Sequence, residues 1–188
     1  MTTTTKKKTT TRKVKLPPNP FIHEILDYVD SQRTKVKKVE ALREHRDDSL
    51  TAILIWNFDD RVISAVPEGQ VPYKENEVPV GTDHTSLRRE WKNLYHFVKG
   101  GNDKISSIRR ETMFIQLLEG LHPEEAEIVC LVKDKALEDK YSITYDVVRQ
   151  AYPDIQSGGR SRPQPQKRKQ NRQRKLRKLQ TNIPVRLF

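Results

Sequence analysis

The sequence predicts an all-α protein: a single compact domain of six to eight helices at residues 17–157, with basic, flexible arms at 1–16 and 158–188. Three observations predict it. Between the arms, apolar residues recur at three- and four-residue intervals. Capping residues and Gly or Pro stops punctuate those stripes at helix-sized distances. No window alternates β-branched and polar residues convincingly; the nearest, Ser142-Ile143-Thr144-Tyr145, reads better as a helix cap.

Pro17-Pro18-Asn19-Pro20 forms a stiff spacer, with Asn19 as cap and Pro20 in the first turn of a helix bearing Ile22, Ile25, Leu26 and Val29. A second helix is expected over 34–46, with Val36, Val39 and Leu42 on its apolar face. Asp48 or Ser49 caps the next, which carries Leu50, Ile53, Leu54 and Trp56. Asn57-Phe58-Asp59-Asp60 interrupts it, and residues 61–66 continue as a short helix to Pro67. Residues 67–84, with Pro67, Gly69, Pro72, Pro79 and Gly81, read as a long loop. Its Val71, Tyr73, Val78 and Val80 are expected to lie against the core. Thr85 caps a helix striped by Leu87, Trp91, Leu94, Tyr95 and Val98, which Gly100-Gly101 stops. Asp103 opens the longest helix, with Ile105, Ile108, Thr112, Ile115 and Leu118 in register. His122-Pro123-Glu124-Glu125 starts another, its acids placed where the helix dipole favours them. Thr144 caps the last, which ends at Ala151-Tyr152-Pro153.

Charge is segregated along this frame. Residues 1–16 hold six Lys/Arg and no acid, and residues 158–188 hold eleven and no acid. The span between holds 19 basic side chains and all 25 acidic ones. The net charge of +11 therefore belongs to the arms. Basic arms on a mildly acidic body point to a polyanionic partner, DNA or RNA. The densest run is Lys167, Arg168, Lys169, Arg172, Arg174, Lys175, Arg177 and Lys178, which is expected to be the nucleic-acid contact. Self-repulsion keeps such a run unfolded alone, and its Gln, Arg, Lys and Leu favour a helix once a polyanion neutralises it. Arg88-Arg89 and Arg109-Arg110 offer a secondary nucleic-acid face if their helices pack side by side. The alternative is a solvated face paired with Glu90 and Glu111. The chain ends Ile183-Pro184-Val185-Arg186-Leu187-Phe188, an apolar finish fit to dock on a protein partner through Leu187 and Phe188. With Gln180 it resembles, at longer spacing, the peptides that bind DNA sliding clamps.

The sequence offers no support for catalysis. No glycine-rich phosphate loop follows a strand. None of His23, His45, His84, His96 and His122 stands three or four residues from another, so no metal site is expected. The acid pairs Asp47-Asp48, Asp59-Asp60 and Glu124-Glu125 sit at helix starts or breaks, and adjacent helical residues diverge by about 100°. The lone cysteine, Cys130, lies in an apolar run and reads as a small buried hydrophobe. Trp56 and Trp91 lie on apolar stripes and are expected in the core. No cofactor is implied, and no apolar stretch reaches the length that crosses a bilayer.

Five segments occurring in order carry a family resemblance: Ile53-Leu54-Ile55-Trp56-Asn57-Phe58-Asp59; Pro67-Glu68-Gly69-Gln70-Val71-Pro72-Tyr73; the run from Glu77 through His84 to Gly101; Arg109-Arg110-Glu111-Thr112-Met113-Phe114-Ile115-Gln116 onward to Lys135; and Ala151-Tyr152-Pro153-Asp154-Ile155. Over residues 17–157 the chain resembles an uncharacterised family of contractile-tailed phages infecting marine cyanobacteria and related marine bacteria. The resemblance implies a small helical phage protein and no activity. The basic C-terminal arm departs from the family pattern, so its role is not implied. The leading expectation is a non-enzymatic phage accessory protein that binds nucleic acid through its arms, in the host cytoplasm during infection. A virion component whose arms contact neighbouring subunits or packaged genome is the second. An adaptor docking on replication or transcription machinery through Leu187 and Phe188 is the third.

Overall fold

The computed structural model describes residues 16–77 and 85–153. They form eight α-helices: α1 (Ile22–Asp30), α2 (Lys35–Glu44), α3 (Asp48–Phe58), α4 (Leu87–Glu90), α5 (Ser107–Gly120), α6 (Pro123–Lys133), α7 (Leu137–Lys140) and α8 (Tyr145–Ala151). A 3-10 helix, Trp91–Phe97, follows α4 directly. The all-α expectation holds. Helix α3 is buried on most sides and packs on α6, α4 and the 3-10 helix. α2 lies on α8 and α1, and α5 on α6. The core is built from Ile25, Leu26, Leu50, Leu54, Phe114 and Val129, among others.

Several boundaries differ from the sequence reading, each for a local reason. α1 is capped by Phe21 rather than Asn19, because the Phe21 amide donates to Glu24 Oε2 at 2.8 Å. In α2, Val36 is 66% exposed, and Lys38 turns inward instead. Lys38 Nζ donates to Ser142 Oγ and to Asp30 Oδ1, and the Ser142 amide also donates to Asp30, joining α1, α2 and the approach to α8. Burial works against the Asp30 charge, but the hydrogen bonds from Ser142 and Lys38 outweigh it and hold the carboxyl below its ordinary value. Residues 61–66 are not helical. Asp59 takes the Arg61 amide and guanidinium, ending α3, and the chain then pairs in extended form with the end of the 3-10 helix. Ala65 N–H donates to the Phe97 carbonyl at 2.7 Å and Lys99 N–H to the Ile63 carbonyl at 2.8 Å. Ser106, not Asp103, caps α5, and Ile108 stands 77% exposed; the buried face is Phe114, Leu117 and Leu118. α7 has no counterpart in the sequence reading.

The described part of the long loop, residues 67–77, is irregular, and Val71 and Tyr73 pack on the core as expected. Val78, Val80 and His84 lie outside the described residues. The loop start is anchored by Lys133, whose side chain is fully buried. Its Nζ donates to the Pro67 carbonyl at 2.9 Å, the Gly69 carbonyl at 3.0 Å and Asp134 Oδ1 at 2.5 Å. Lys133→Met keeps the aliphatic stem and removes all three bonds. It should cost about 2 kcal/mol, moderated because the freed carbonyls can reach water. It should also raise amide exchange across residues 67–77. A urea midpoint and exchange profile equal to the wild type would refute the anchor.

Candidate nucleic-acid interface

The helical domain is itself charge-segregated. Residues 88–110 carry seven Lys/Arg against Glu90 and Asp103, while the rest of 17–157 carries 12 basic side chains against 23 acidic ones. This stretch is α4, the 3-10 helix and the turn into α5.

Both acids in it are engaged locally. Glu90 accepts from Thr85 Oγ1 at 3.0 Å and from Asn93 Nδ2 at 2.7 Å. Asp103 Oδ1 accepts the Gly100 amide at 3.2 Å. The four arginines read from the sequence as one face do not act as a set. The main neighbours of α4 are α3 and the 3-10 helix, and those of α5 are α6 and the 3-10 helix, so the two arginine pairs are not on side-by-side helices. Arg88 turns to Asp47, with Nε 3.6 Å from Oδ2. Arg110 is structural: its guanidinium donates to the carbonyls of His96 (2.9 Å), Asn102 (2.8 Å) and Ile105 (3.4 Å). Arg89 and Arg109 are exposed, as are Lys92, Lys99 and Lys104. None of these five forms an ion pair with a described residue. The eight arm cations from Lys167 to Lys178, and the terminal Leu187 and Phe188, lie outside the described residues.

The 3-10 geometry decides which side chains surface here. At three residues per turn, side chains at i and i+3 eclipse. Trp91, Leu94 and Phe97 fall on one edge and face the core. Lys92 and Tyr95 fall on another and face out, with Tyr95 48% exposed. An α-helical reading of the same stripe places Tyr95 beside Leu94 in the core, which is why the sequence analysis missed it. The signal was the strict three-residue spacing of Trp91, Leu94 and Phe97. The Tyr95 ring rests on His96, centroids 3.9 Å apart at 36°.

A second cluster joins residues distant in sequence. The rings of Phe21, His23 and His122 stack, with the two imidazoles 5.0 Å apart and within 12° of parallel. Glu124 Oε2 is 2.7 Å from His23 Nε2, and ligand-type atoms of His23, His122 and Glu124 all lie within 4.8 Å of one another. Burial pushes the His23 pKa down against the pull of Glu124. Neutral His23 then donates from Nε2, leaving Nδ1 a buried acceptor. Stacked near-parallel rings hold their in-plane lone pairs in separate, near-parallel planes, which do not converge on one point. Stacking and the His23–Glu124 bond therefore account for the group better than a tetrahedral metal cage does. Cys130 is half-buried, its thiol pushed up to about 11 by burial, which keeps it protonated and unreactive at neutral pH.

Residues 25–139 match DUF6433, described as a family of unknown function. The chain belongs to DUF6433. The DUF6433 match takes in most of α1 through most of α7, including the basic stretch 88–110, and leaves both basic arms outside. No curated protein and no solved structure matches the chain. No helix among the described residues is long and apolar enough to cross a membrane.

Proposed function

We propose that this DUF6433 protein is a non-enzymatic accessory protein of a contractile-tailed phage that binds nucleic acid through its basic arms in the host cytoplasm. The observation that carries the reading is the separation of charge: seventeen cations and no acid in the two arms, against an acidic excess between them. A tail serving only solubility is better made from acids than from Lys and Arg. The helical domain supports a scaffolding role. Its buried charged groups Lys38, Glu125 and Lys133 are spent on contacts that join its segments, and Asp59 on the turn that ends α3.

The test is the salt dependence of duplex DNA binding by the full chain. With about five to eight arm cations on phosphates, log K against log salt should slope by roughly −4 to −7. Replacing Lys167, Arg168, Lys169, Arg172, Arg174, Lys175, Arg177 and Lys178 by Gln should flatten most of that slope. A variant that binds as tightly, with the same slope, would remove the arm as the contact.

A further inference from the structure

We infer that Tyr95 is a base-stacking platform for single-stranded nucleic acid, served by the exposed Lys92, Lys99, Lys104 and Arg109 of the same cationic stretch. The inference deepens the nucleic-acid reading above and rests on it.

An exposed aromatic ring on a soluble domain is unremarkable alone. Three features set this one apart. It stands in residues 88–110, a cationic stretch of a body that is net acidic, as residues 33–46 also are with six Lys/Arg against two acids, so the local field favours phosphate there. The 3-10 register puts Lys92 one turn before Tyr95 on the exposed edge, with its Nζ 5.8 Å from the Trp91 ring centroid, so a cation and an exposed aromatic are close along one helix as in single-strand sites. Its backbone is also held from both sides. The Lys99 amide donates to the Ile63 carbonyl, and the Ala65 amide donates to Phe97, the last residue of the 3-10 helix. Arg110 gathers three carbonyls of the following turn, Asn102 Nδ2 lies 3.0 Å from His96 Nδ1, and Gly101 folds against the Tyr95 carbonyl. His96 backs the ring itself. A ring already fixed in place loses little freedom when a base lands on it.

Single strands fit this surface better than duplex, because only an unpaired base can expose its face to a tyrosine. The cations would track the phosphates on either side. An acidic protein segment is the competing occupant, but it would draw on the cations alone.

The experiment uses the full-length chain and two fluorescent oligomers of equal length. One is oligothymidylate; the other carries abasic tetrahydrofuran residues on the same phosphate backbone. The wild type should bind the thymidylate roughly tenfold more tightly, since one stacked base is worth a factor of that order. Tyr95→Ala should abolish the preference without altering the salt slope, and Tyr95→Trp should keep it. Helical circular dichroism and an unchanged melt confirm that this exposed substitution leaves the fold intact. Equal binding of both oligomers by the wild type overturns the inference and is what an acidic-protein surface would give; a preference that survives Tyr95→Ala also overturns it and puts base stacking elsewhere in the chain. The arm-neutralised variant separates the two readings. It should bind both oligomers more weakly with the ratio preserved, so an unaltered affinity sinks the arm and leaves the platform standing. No binding of either oligomer by the wild type overturns both.

Discussion

Glu125→Ala is expected to lower the unfolding free energy by about 3 kcal/mol, because it leaves two buried backbone amides with no acceptor. Glu125 is fully buried in the first turn of α6. Its Oε1 accepts the Ile22 amide at 3.0 Å, and its Oε2 accepts the Leu87 amide at 2.9 Å. One carboxylate thus caps the starts of both α1 and α4 and fixes them against α6. In the sequence Glu125 stands where the helix dipole favours an acid, and a dipole contact alone is worth a few tenths to about 1 kcal/mol. The larger expected loss distinguishes the two roles. Part of the loss is offset by removing a buried carboxylate, whose desolvation pushes its pKa above the ordinary value despite the two amide bonds.

That direction fixes the pH dependence. A carboxyl whose folded pKa lies above its unfolded value favours the folded state below the unfolded pKa, and loses that contribution as pH rises through the folded pKa. Glu125→Gln keeps the shape and one acceptor but cannot titrate. The stability gap between wild type and Glu125→Gln should therefore widen as pH falls from 7 towards about 4.5. Urea unfolding followed at 222 nm across that range measures both effects. A Glu125→Ala loss under about 1 kcal/mol would return Glu125 to the dipole role.

Helix positions were legible where sequence-local forces decide them. The apolar spacing of Ile22, Ile25, Leu26 and Val29 located α1, Pro123 with its two glutamates located α6, and Thr144 located α8. What escaped was set by partners distant along the chain. Residues 61–66 read locally as a short helix, but their state is decided by pairing with Phe97 and Lys99, which the residues themselves do not encode. The inward turn of Lys38 and Lys133 has no local signal, because nothing near them in sequence announces Ser142 or the carbonyls of Pro67 and Gly69. The His23–His122 stack joins residues that no spacing rule connects. Arg110 shows the same limit in the interface itself: adjacent to Arg109, it looked equivalent, yet three carbonyls claim it.

Gly101→Ala should be the most damaging small substitution in the candidate interface. A Cβ built there would lie 1.9 Å from the Tyr95 carbonyl oxygen, 2.9 Å from its carbon and 3.3 Å from Val98 Cγ2. Two of these are backbone atoms, so no rotamer change relieves the contact. The turn must open, straining the Gly101 N–H bond to the Val98 carbonyl and the neighbouring carbonyls gathered by Arg110. Overpacking of this kind costs about 3 kcal/mol. Gly100 makes a control with a different physics. It has φ +81° and open space around its Cβ position, so Gly100→Ala pays only for left-handed backbone, on the order of 1 kcal/mol. The expected order in urea midpoint is wild type, then Gly100→Ala, then Gly101→Ala; equal midpoints for the two variants would mean the close approach to Tyr95 carries no weight. Function should follow the same order. Moving the Tyr95 carbonyl moves the ring, so folded Gly101→Ala should lose the preference for thymidylate over abasic strands while keeping the salt slope of the arms. If it stays folded and keeps that preference, the ring does not depend on the turn that folds against it, and presentation must come from the 3-10 helix alone.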